Sequence, residues 1–244
     1  MRKKRLDIFV HCWQFSKTLT YLLSSLVLHP PKNLRVKVIV ACTESDQPTL
    51  DVIHYFRWQH RVWVLPYLMT KSRLFNRTIG RNELAKNTKA NLVWFTDADY
   101  FFGEGCFDSL GEKIEHFKPN NIYFPHHILQ NRTKEQGDDY VRKVSDLGVY
   151  DIKTSDFVAK SMQRAIGGIQ IVTGNTARKH GYCETKPEFL RPVRSRKWNT
   201  RMFCADVWYR ALVVGKLYSR GYRITLPNVY RIRQSIPGVV DTLE

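Results

Sequence analysis

Short apolar runs alternate with segments in which apolar residues recur every three or four positions through the first half of the chain. An apolar run bounded by polar residues indicates a buried strand, and the three-to-four-residue recurrence indicates a helix with one buried face. The pattern predicts strands at Asp7–Val10, Val36–Ala41, Val62–Leu65 and Leu92–Phe95. It predicts helices that begin at Ser16 and at Asp46, that span residues 77–90, and that bury Phe107, Leu110, Ile114 and Phe117. Such alternation is typical of an α/β fold with a doubly wound, mainly parallel sheet.

The second half of the chain has a less regular pattern. Strands are predicted at Ile122–Phe124 and at residues 169–172, whereas residues 130–163 are polar and lack a clear period. A basic loop is predicted at residues 185–203, and a last helix at residues 205–219. The predicted buried face of that helix consists of Val207, Ala211, Val214 and Tyr218, and Gly221 follows its expected end.

The composition indicates an ordered chain. Hydrophobic residues make up 43% and aromatic residues 13% of the sequence, which excludes a disordered protein. No run approaches the length of about 18 apolar residues that a membrane helix needs, so no spanning segment is expected. The chain starts with basic residues, but polar side chains such as Asp7 and His11 interrupt the apolar stretch behind them, unlike in a signal peptide.

The five cysteines are scattered and never form a Cys-x-x-Cys pair. An odd, dispersed set indicates free thiols in a reducing compartment and argues against a disulfide framework or a zinc site. We therefore expect a cytoplasmic protein. The cysteines are Cys12, Cys42, Cys106, Cys183 and Cys204.

The charge of the chain is strongly positive: 39 Lys and Arg outnumber 22 Asp and Glu, for a formal net charge of +17. A positive field attracts phosphates, which nucleic acid, an anionic lipid surface or a small phosphorylated substrate would supply. The basic residues are dispersed and no nucleic-acid motif accompanies them, so we expect no nucleic-acid partner. A basic nucleic-acid-binding module stays as an alternative.

The chemistry of the chain centres on an Asp-x-Asp (DXD) motif, Asp97-Ala98-Asp99. It directly follows the most apolar predicted strand, so both carboxylates are expected at the carboxyl end of the sheet, where ligands of such sheets bind. Mg²⁺ and Mn²⁺ accept carboxylate oxygens together with substrate phosphates. A pair of aspartates in a solvated turn is the alternative interpretation.

Arg81 lies near the start of the predicted helix that precedes this strand. In a parallel sheet that helix runs antiparallel to the strands, so its first turn shares a rim with the two aspartates. A guanidinium at this position, together with the positive end of the helix, suits a diphosphate or a base edge.

Arg81-Asn82, followed after fourteen residues by Asp97-Ala98-Asp99, resembles the nucleotide-binding core of family-2 glycosyltransferases with the GT-A fold. The second half resembles that family more loosely, in Gly167–Val172, Ala177–Glu184 and Ala205–Arg210. The resemblance runs from residue 6 to about residue 236. It implies a single GT-A domain over residues 1–244, with a nucleotide-sugar-binding half at residues 6–105 and an acceptor and catalytic half at residues 106–244.

The resemblance also implies roles for individual residues. Asp97 would contact the ribose and, with Asp99, hold a Mn²⁺ or Mg²⁺ ion that bridges the donor phosphates. Arg81 would face the nucleotide. Asp206 would be the catalytic base of an inverting transfer, because the acceptor hydroxyl must lose a proton as it attacks. A helix N-cap is the alternative role for Asp206.

Three residues near the strand ends are further candidates for nucleotide binding: Cys12, Trp13 and Thr43. The Trp13 ring would stack on the base, although a core aromatic is an equally good interpretation. Cys42-Thr43 stands where the family often has two aspartates that read the base, so the identity of the base stays open.

Other departures from the family concern charge. Ala205 replaces the acid that usually precedes the catalytic aspartate. Arg231 and Arg233 occupy the region in which many members have a histidine that faces the metal or diphosphate, so either arginine is a candidate diphosphate ligand.

The implied function is transfer of a sugar from a nucleotide-diphosphate sugar to a hydroxyl of a glycan, polysaccharide or lipid-linked acceptor. We expect the protein in the cytoplasm, with peripheral contact at a membrane face. A sugar nucleotidyltransferase is a second alternative because it shares a similar sheet. That class opens with a glycine-rich loop after its first strand, whereas this chain has His11-Cys12-Trp13-Gln14-Phe15.

Overall fold

A computed structural model describes residues 3–193, 200–216 and 218–235, with the backbone alone for residues 200–204. In chain order its strands are β1 (Lys4–His11), β2 (Leu34–Cys42), β3 (Val64–Leu68), β4 (Leu92–Asp97), β5 (Tyr100–Phe102), β6 (Tyr123–Pro125), β7 (His127–Asn131), β8 (Phe157–Ser161), β9 (Gln170–Thr173), β10 (Tyr222–Ile224) and β11 (Val229–Arg231). Its helices are α1 (Ser16–Leu28), α2 (Gln47–Gln59), α3 (Lys71–Leu74), α4 (Arg77–Asn87), α5 (Cys106–Lys113), α6 (Lys134–Lys143), α7 (Gly174–His180) and α8 (Thr200–Val214).

A seven-stranded, mostly parallel sheet forms the centre of the fold, in the order β10-β6-β9-β4-β1-β2-β3. β1 pairs in parallel with both β2 and β4, and β2 pairs in parallel with β3. β9 is antiparallel to its neighbours β4 and β6. The prediction of an α/β fold with a mainly parallel sheet is therefore confirmed.

A second, four-stranded sheet has the order β5-β11-β7-β8 and is absent from the sequence prediction. β11 pairs antiparallel with β5 and parallel with β7, so a strand near the end of the chain joins one that directly follows Asp99. Strands of three to five residues give little periodic signal, and their pairing depends on contacts between distant parts of the chain.

The helices pack on the large sheet through the faces that the early pattern predicts. Leu19, Leu22 and Leu23 of α1 are fully buried, as are Ile53 of α2 and Ala85 of α4. One continuous cluster of buried side chains extends from Leu6 to Val229 and includes residues of both predicted halves. Within the described ranges, none of the helices has both the length and the hydropathy that a membrane crossing requires.

The last helix differs from its prediction at both ends. α8 begins at Thr200, inside the predicted loop, and ends at Val214. Gly215 follows with a φ of 70°, a left-handed conformation that terminates helices and that glycine adopts at little cost.

The predicted buried face of α8 is also wrong. The deeply buried apolar side chains among its described residues are Ala205, Tyr209 and Val213, whereas Tyr218 lies beyond the helix and is 79% exposed. Tyr209 stacks on Tyr182 with ring centroids 4.2 Å apart, so the helix is rotated to bury an aromatic pair. Of the predicted basic loop, residues 194–199 lie outside the described residues.

Candidate active site

The carboxyl ends of β1, β2 and β4 meet at one rim of the large sheet. His11, the last residue of β1, lies beside Ala41 in one direction and beside Asp97 in the other. Asp97 ends β4, and Asp99 lies in the turn before β5. The DXD motif therefore lies at the strand end, as predicted.

Two arginines of α4 meet Asp97 at this rim. Nη2 of Arg81 donates to Oδ1 of Asp97 at 2.9 Å, and Arg81 is only 2% exposed. Nη1 of Arg77 lies 3.5 Å from the same oxygen. Asn76 caps α4 by accepting a hydrogen bond from the Thr78 amide, which fixes the helix start from which both arginines extend.

Asp99 pairs with a different arginine, which comes from the second sheet. Nε of Arg231 donates to Oδ2 of Asp99 at 2.8 Å. The Arg231 guanidinium lies 5.4 Å from the centre of the Tyr100 ring. Oδ1 of Asp99 is buried and has no hydrogen-bond partner among the described residues.

Asp206 is held among donors from three parts of the chain. Its Oδ1 accepts from the Tyr182 hydroxyl at 2.7 Å, and its Oδ2 accepts from the Gly167 amide at 2.8 Å. Arg77 lies 3.4 Å from Oδ2, and Arg81 lies 3.8 Å from Oδ1. Because α8 begins at Thr200, Asp206 lies in the second turn of the helix, and the expectation that it begins the helix is wrong.

Gly167 and Gly168 let the backbone approach these carboxylates closely. A Cβ atom on Gly167 would lie 2.6 Å from Oδ2 of Asp206 and 3.0 Å from Nη1 of Arg81. A Cβ atom on Gly168 would lie 3.0 Å from Oδ2 of Asp97. Any larger residue would therefore displace groups of the site.

The two aspartates of the motif differ in electrostatic environment. Burial would raise the pKa of Asp97, but Arg77, Arg81 and Arg231 together hold it below its ordinary value. Burial raises the pKa of Asp99, and Asp97 adds to this effect while Arg231 opposes it. Asp97 is thus the better stabilised anion, whereas Asp99 still gains from a further positive charge.

His11 is a neutral structural neighbour of the site. Its Nε2 atom makes a short contact with the Leu74 carbonyl oxygen. Burial lowers its pKa to about 3, and the positive charges of Arg81 and Arg77 add to the shift. His11 therefore adds no charge to the rim at neutral pH.

The three remaining nucleotide-binding candidates near the strand ends have buried side chains. The Cys12 thiol is fully buried and lies 3.4 Å from the Thr49 hydroxyl. Trp13 is 4% exposed, and its ring packs edge-on against Phe75. Thr43 is 6% exposed. In this arrangement the side chain of Cys12 faces the core, and stacking of Trp13 on a base would need it to leave its packed position.

The loops that carry these residues are tied together by Asp46. Its Oδ2 accepts hydrogen bonds from the Gln14 amide at 2.7 Å and from the Thr49 hydroxyl at 2.8 Å. Asp46 is 3% exposed, so this carboxylate has a structural role at the rim. Cys42, which precedes Thr43 at the end of β2, is fully buried.

Arg233 follows two residues after the end of β11. Its amide donates to Oδ1 of Asn131 at 2.6 Å, and its carbonyl oxygen accepts from Nδ2 of the same side chain at 2.8 Å. The backbone is thereby fixed, but the described contacts do not bring the Arg233 side chain to Asp97 or Asp99. Arg231 is the arginine of this pair that the structure brings to the site.

Two residues of the site were absent from the sequence prediction. Arg77 links Asp97 to Asp206. The Tyr182 hydroxyl links Asp206 to Gln170 and accepts from Arg81 at 3.2 Å. The helix period would have placed Arg77 one turn before Arg81, on the same side of α4. The resemblance in Ala177–Glu184 covers Tyr182 but gave it no role, because its neighbours come from distant segments.

Asp97 and Asp99 are the predicted metal ligands at this rim. No group of three or more His, Cys, Asp or Glu that would hold a metal by itself occurs in the described ranges. The rim instead brings together three carboxylates, from Asp97, Asp99 and Asp206, and three guanidinium groups, from Arg77, Arg81 and Arg231.

Comparison with known proteins shows similarity of fold. No family model and no curated protein sequence matches the chain. Residues 1–349 of TarS from S. aureus, crystallised with UDP-GlcNAc, match with 11% identity and a TM-score of 0.55, over 96% of this chain and 60% of that chain. The mannosyltransferase PcManGT from Pyrobaculum calidifontis, in complex with GDP-Man and Mn²⁺, matches with 12% identity and a TM-score of 0.54, over 98% of this chain and 59% of that chain.

At such low identity the likeness concerns the fold alone. The chain spans about 60% of the length of either structure. This chain thus shares its α/β architecture with a mannosyltransferase and with TarS.

Proposed function

We propose that the chain is a glycosyltransferase with the GT-A fold, which transfers a sugar from a nucleotide-diphosphate sugar to an acceptor hydroxyl. The observation that carries the proposal is the meeting of Asp97, Asp99 and Asp206 with three arginines at the carboxyl end of β4. The donor complexes of the structures with the same fold support this donor class: UDP-GlcNAc in TarS and GDP-Man in PcManGT. The acceptor, a glycan or a lipid-linked saccharide, stays a prediction.

The residues of the motif fit a divalent cation. Each aspartate has one oxygen that an arginine occupies, Oδ1 in Asp97 and Oδ2 in Asp99. The second oxygen of Asp99 is buried without a hydrogen-bond partner among the described residues. Mg²⁺ and Mn²⁺ commonly bind through one or two carboxylates plus substrate phosphates. When bound here, the ion would neutralise charge that builds on the departing nucleoside diphosphate.

The arginines of α4 would stabilise the same charge and set the position of the carboxylates. Arg81 is almost fully buried against Asp97, so it orients that carboxylate toward the donor. Arg77 is 19% exposed and lies between Asp97 and Asp206. It is therefore the arginine of α4 that is better placed to meet a ligand. Preorganised positive groups of this kind reduce the barrier without reorganisation during the reaction.

Asp206 is the proposed base of an inverting transfer. Its carboxylate is oriented by the Tyr182 hydroxyl and the Gly167 amide, while 15% of its side chain stays accessible. A carboxylate in this position would accept the proton of the acceptor hydroxyl as that oxygen attacks the sugar. The absence of a side chain at Gly167 and Gly168 lets the backbone pack directly against Asp206 and Asp97.

Calorimetric titration of UDP and GDP into the protein, with and without Mn²⁺ or Mg²⁺, tests the donor site. We expect one of the nucleotides to bind only with the metal, and Asp99→Ala to abolish that binding. Asp206→Asn should retain it and lose sugar transfer, measured as nucleotide released with an acceptor. Asp139→Asn, which changes an exposed aspartate of α6, is the matched control and should behave as wild type. Absence of metal-dependent binding of any nucleoside diphosphate would overturn the proposal.

A further inference from the structure

The Asp99 carboxylate already has a cation of its own. Nε of Arg231 lies 2.8 Å from Oδ2 of Asp99, while Oδ1 of Asp99 is buried and unpartnered among the described residues. A metal ion that binds Oδ1 would therefore approach a carboxylate that a guanidinium occupies. Two cations on one carboxylate repel each other unless further negative charge is present.

The position of Arg231 is fixed by its strand. Arg231 lies opposite Tyr100 in the β5–β11 pair, and the Ile232 amide donates to the Asp99 carbonyl oxygen at 2.8 Å. β11 also pairs with β7 on its other side, at Gln130. The backbone is thus held on both edges, so the guanidinium can leave Asp99 only by rotation of its side chain.

The side chain of Arg231 has room for such a rotation. It is 33% exposed, whereas the side chain of Arg81, which pairs with Asp97, is 2% exposed. Arg81 also donates to the Tyr182 hydroxyl, while the Arg231 side chain has Asp99 as its single hydrogen-bond partner among the described residues. Of the three aspartate–arginine pairs of the motif, the Asp99–Arg231 pair has the most exposed arginine and can open most readily.

The charges of the rim balance without a ligand. Asp97, Asp99 and Asp206 carry three negative charges, and Arg77, Arg81 and Arg231 carry three positive charges. A divalent cation alone would leave an excess of positive charge in a half-buried site. A diphosphate adds negative charge, and two of its oxygens can accept a bidentate pair of hydrogen bonds from a guanidinium.

We propose that Arg231 is an internal counter-ion that keeps metal off Asp99 until a nucleoside diphosphate binds, and that it then transfers to the diphosphate. Metal and nucleotide would therefore bind together, in a strongly coupled manner, and the free protein would bind metal weakly. This inference rests on the proposed function in one respect, since it takes Asp99 as a metal ligand. Arg231 would be a positioning residue for the metal, beyond its predicted role as a diphosphate ligand.

Electron paramagnetic resonance of Mn²⁺ tests the inference without any measurement of activity. Free Mn²⁺ gives a sharp six-line signal that is lost on binding, so titration yields the affinity of the protein for the metal alone. Arg231→Met, which keeps an unbranched side chain and removes the charge, should bind Mn²⁺ about tenfold or more tightly than wild type in the absence of nucleotide. Arg231→Lys keeps a positive charge at Asp99 and should bind Mn²⁺ as weakly as wild type.

A matched control separates this effect from the loss of one positive charge anywhere on the protein. Arg142 of α6 pairs with Asp139 at the surface, so Arg142→Met also removes a charge from an arginine–aspartate pair. It should leave the Mn²⁺ affinity unchanged. Circular dichroism and thermal unfolding test whether Arg231→Met is folded. The Mn²⁺ affinities of wild type and Arg231→Lys can be compared whether or not Arg231→Met folds.

The outcomes separate this inference from the proposed function. If Mn²⁺ with UDP or GDP binds to wild type and fails with Asp99→Ala, but Arg231→Met has the wild-type affinity for Mn²⁺ alone, the inference is overturned and the proposed function stands. Tight Mn²⁺ binding by wild-type protein without nucleotide also overturns it. If Mn²⁺ binds to no variant with or without nucleotide, both the inference and the metal-dependent mechanism are wrong.

Discussion

Arg77 illustrates how a single side chain joins the two parts of the candidate site. It lies 3.5 Å from Asp97, in the proposed donor site, and 3.4 Å from Asp206, the proposed base. The pKa of Arg77 is raised because, although burial lowers it, Asp97 and Asp206 more than offset that effect. Its charge is therefore secure in the half-buried rim at any accessible pH.

Replacement of Arg77 should accordingly weaken transfer more than folding. We expect Arg77→Gln to lower kcat/KM by about 10- to 100-fold, because two carboxylates lose a shared counter-ion and the leaving diphosphate loses a stabilising charge. The assay is nucleotide release from the donor that the calorimetric screen identifies. Arg73→Gln is the control, since Arg73 pairs with Glu83 outside the rim. An Arg77→Gln enzyme with wild-type kcat/KM would remove this arginine from the site.

At the residue scale the sequence predicted the acidic half of the site better than its basic half. Asp97 and Asp99 could be placed because they follow an apolar strand, whose end has a known position in a parallel sheet. Arg77 and Tyr182 were missed. The helix period places Arg77 on the same side of α4 as Arg81, but in a chain with 39 Lys and Arg such a neighbour does not stand out. The contact of Tyr182 with Asp206 also joins residues that only the fold brings together.

At the scale of elements, Asn76 connects the start of α4 to the segment that follows α7. Its Oδ1 atom accepts from the Thr78 amide, and its Nδ2 atom donates to the carbonyl oxygens of Phe189 at 2.7 Å and of Arg191 at 2.9 Å. Asn76 is 4% exposed. One buried amide group thus caps the helix that carries Arg77 and holds a second segment beside it.

Asn76→Asp separates these two roles. An aspartate caps a helix as well as an asparagine does, but it cannot donate to the two carbonyl oxygens. We expect the free energy of unfolding to fall by about 2–3 kcal/mol, because two acceptors lose their donor next to a new charge. Urea unfolding followed by tryptophan fluorescence measures it.

The control for this substitution is Asn91→Asp. Asn91 is exposed, and its Oδ1 atom accepts from the Arg5 amide, a bond that an aspartate keeps. Its stability should stay within about 0.5 kcal/mol of wild type. Equal stability of Asn76→Asp and wild type would show that the cap alone explains this asparagine.

Long elements were predictable and short ones were not. α1 begins at Ser16 as predicted, because its apolar stripe extends over three turns and the two prolines that follow stop it. β5 and β11 have three residues each, too few for a period, and β11 finds its partners more than 100 positions earlier in the chain. The second sheet, which supplies Arg231 to the site, was missed for this reason.

At the scale of the whole molecule, the net charge of +17 and the charge balance at the rim are separate properties. The three aspartates and three arginines of the site cancel, so the excess positive charge lies elsewhere on the protein. Such a field would raise the local concentration of an anionic donor without holding it in one place. The net charge could be read from the sequence. The position of the excess positive charge could not, because it depends on which charged side chains the fold pairs.

The buried thiols and phenols give the whole molecule a defined response to alkaline pH. Burial raises the pKa of Cys42 from 9.0 to about 12, and it raises that of Tyr21 from 10.0 to about 12. Both side chains are almost inaccessible, and the Tyr21 hydroxyl donates to the Tyr140 carbonyl oxygen at 2.9 Å. Above pH 9 the unfolded chain therefore loses these protons before the folded chain does.

Rising pH favours the state that binds fewer protons. Above pH 9 that state is the unfolded chain, so the free energy of unfolding falls. We expect the free energy of unfolding to be nearly constant up to about pH 8.5 and to fall above it, with Cys42 alone contributing about 2 kcal/mol of the fall by pH 10.5. Urea unfolding across this range measures the change. Cys42→Ala should reduce the fall by about this amount, because one of the thiols that titrate only in the unfolded chain is gone. If Cys42→Ala and wild type lose the same free energy of unfolding between these pH values, the Cys42 thiol does not stay protonated in the folded protein. The end of β2 would then pack against the core more loosely than the full burial of Cys42 indicates.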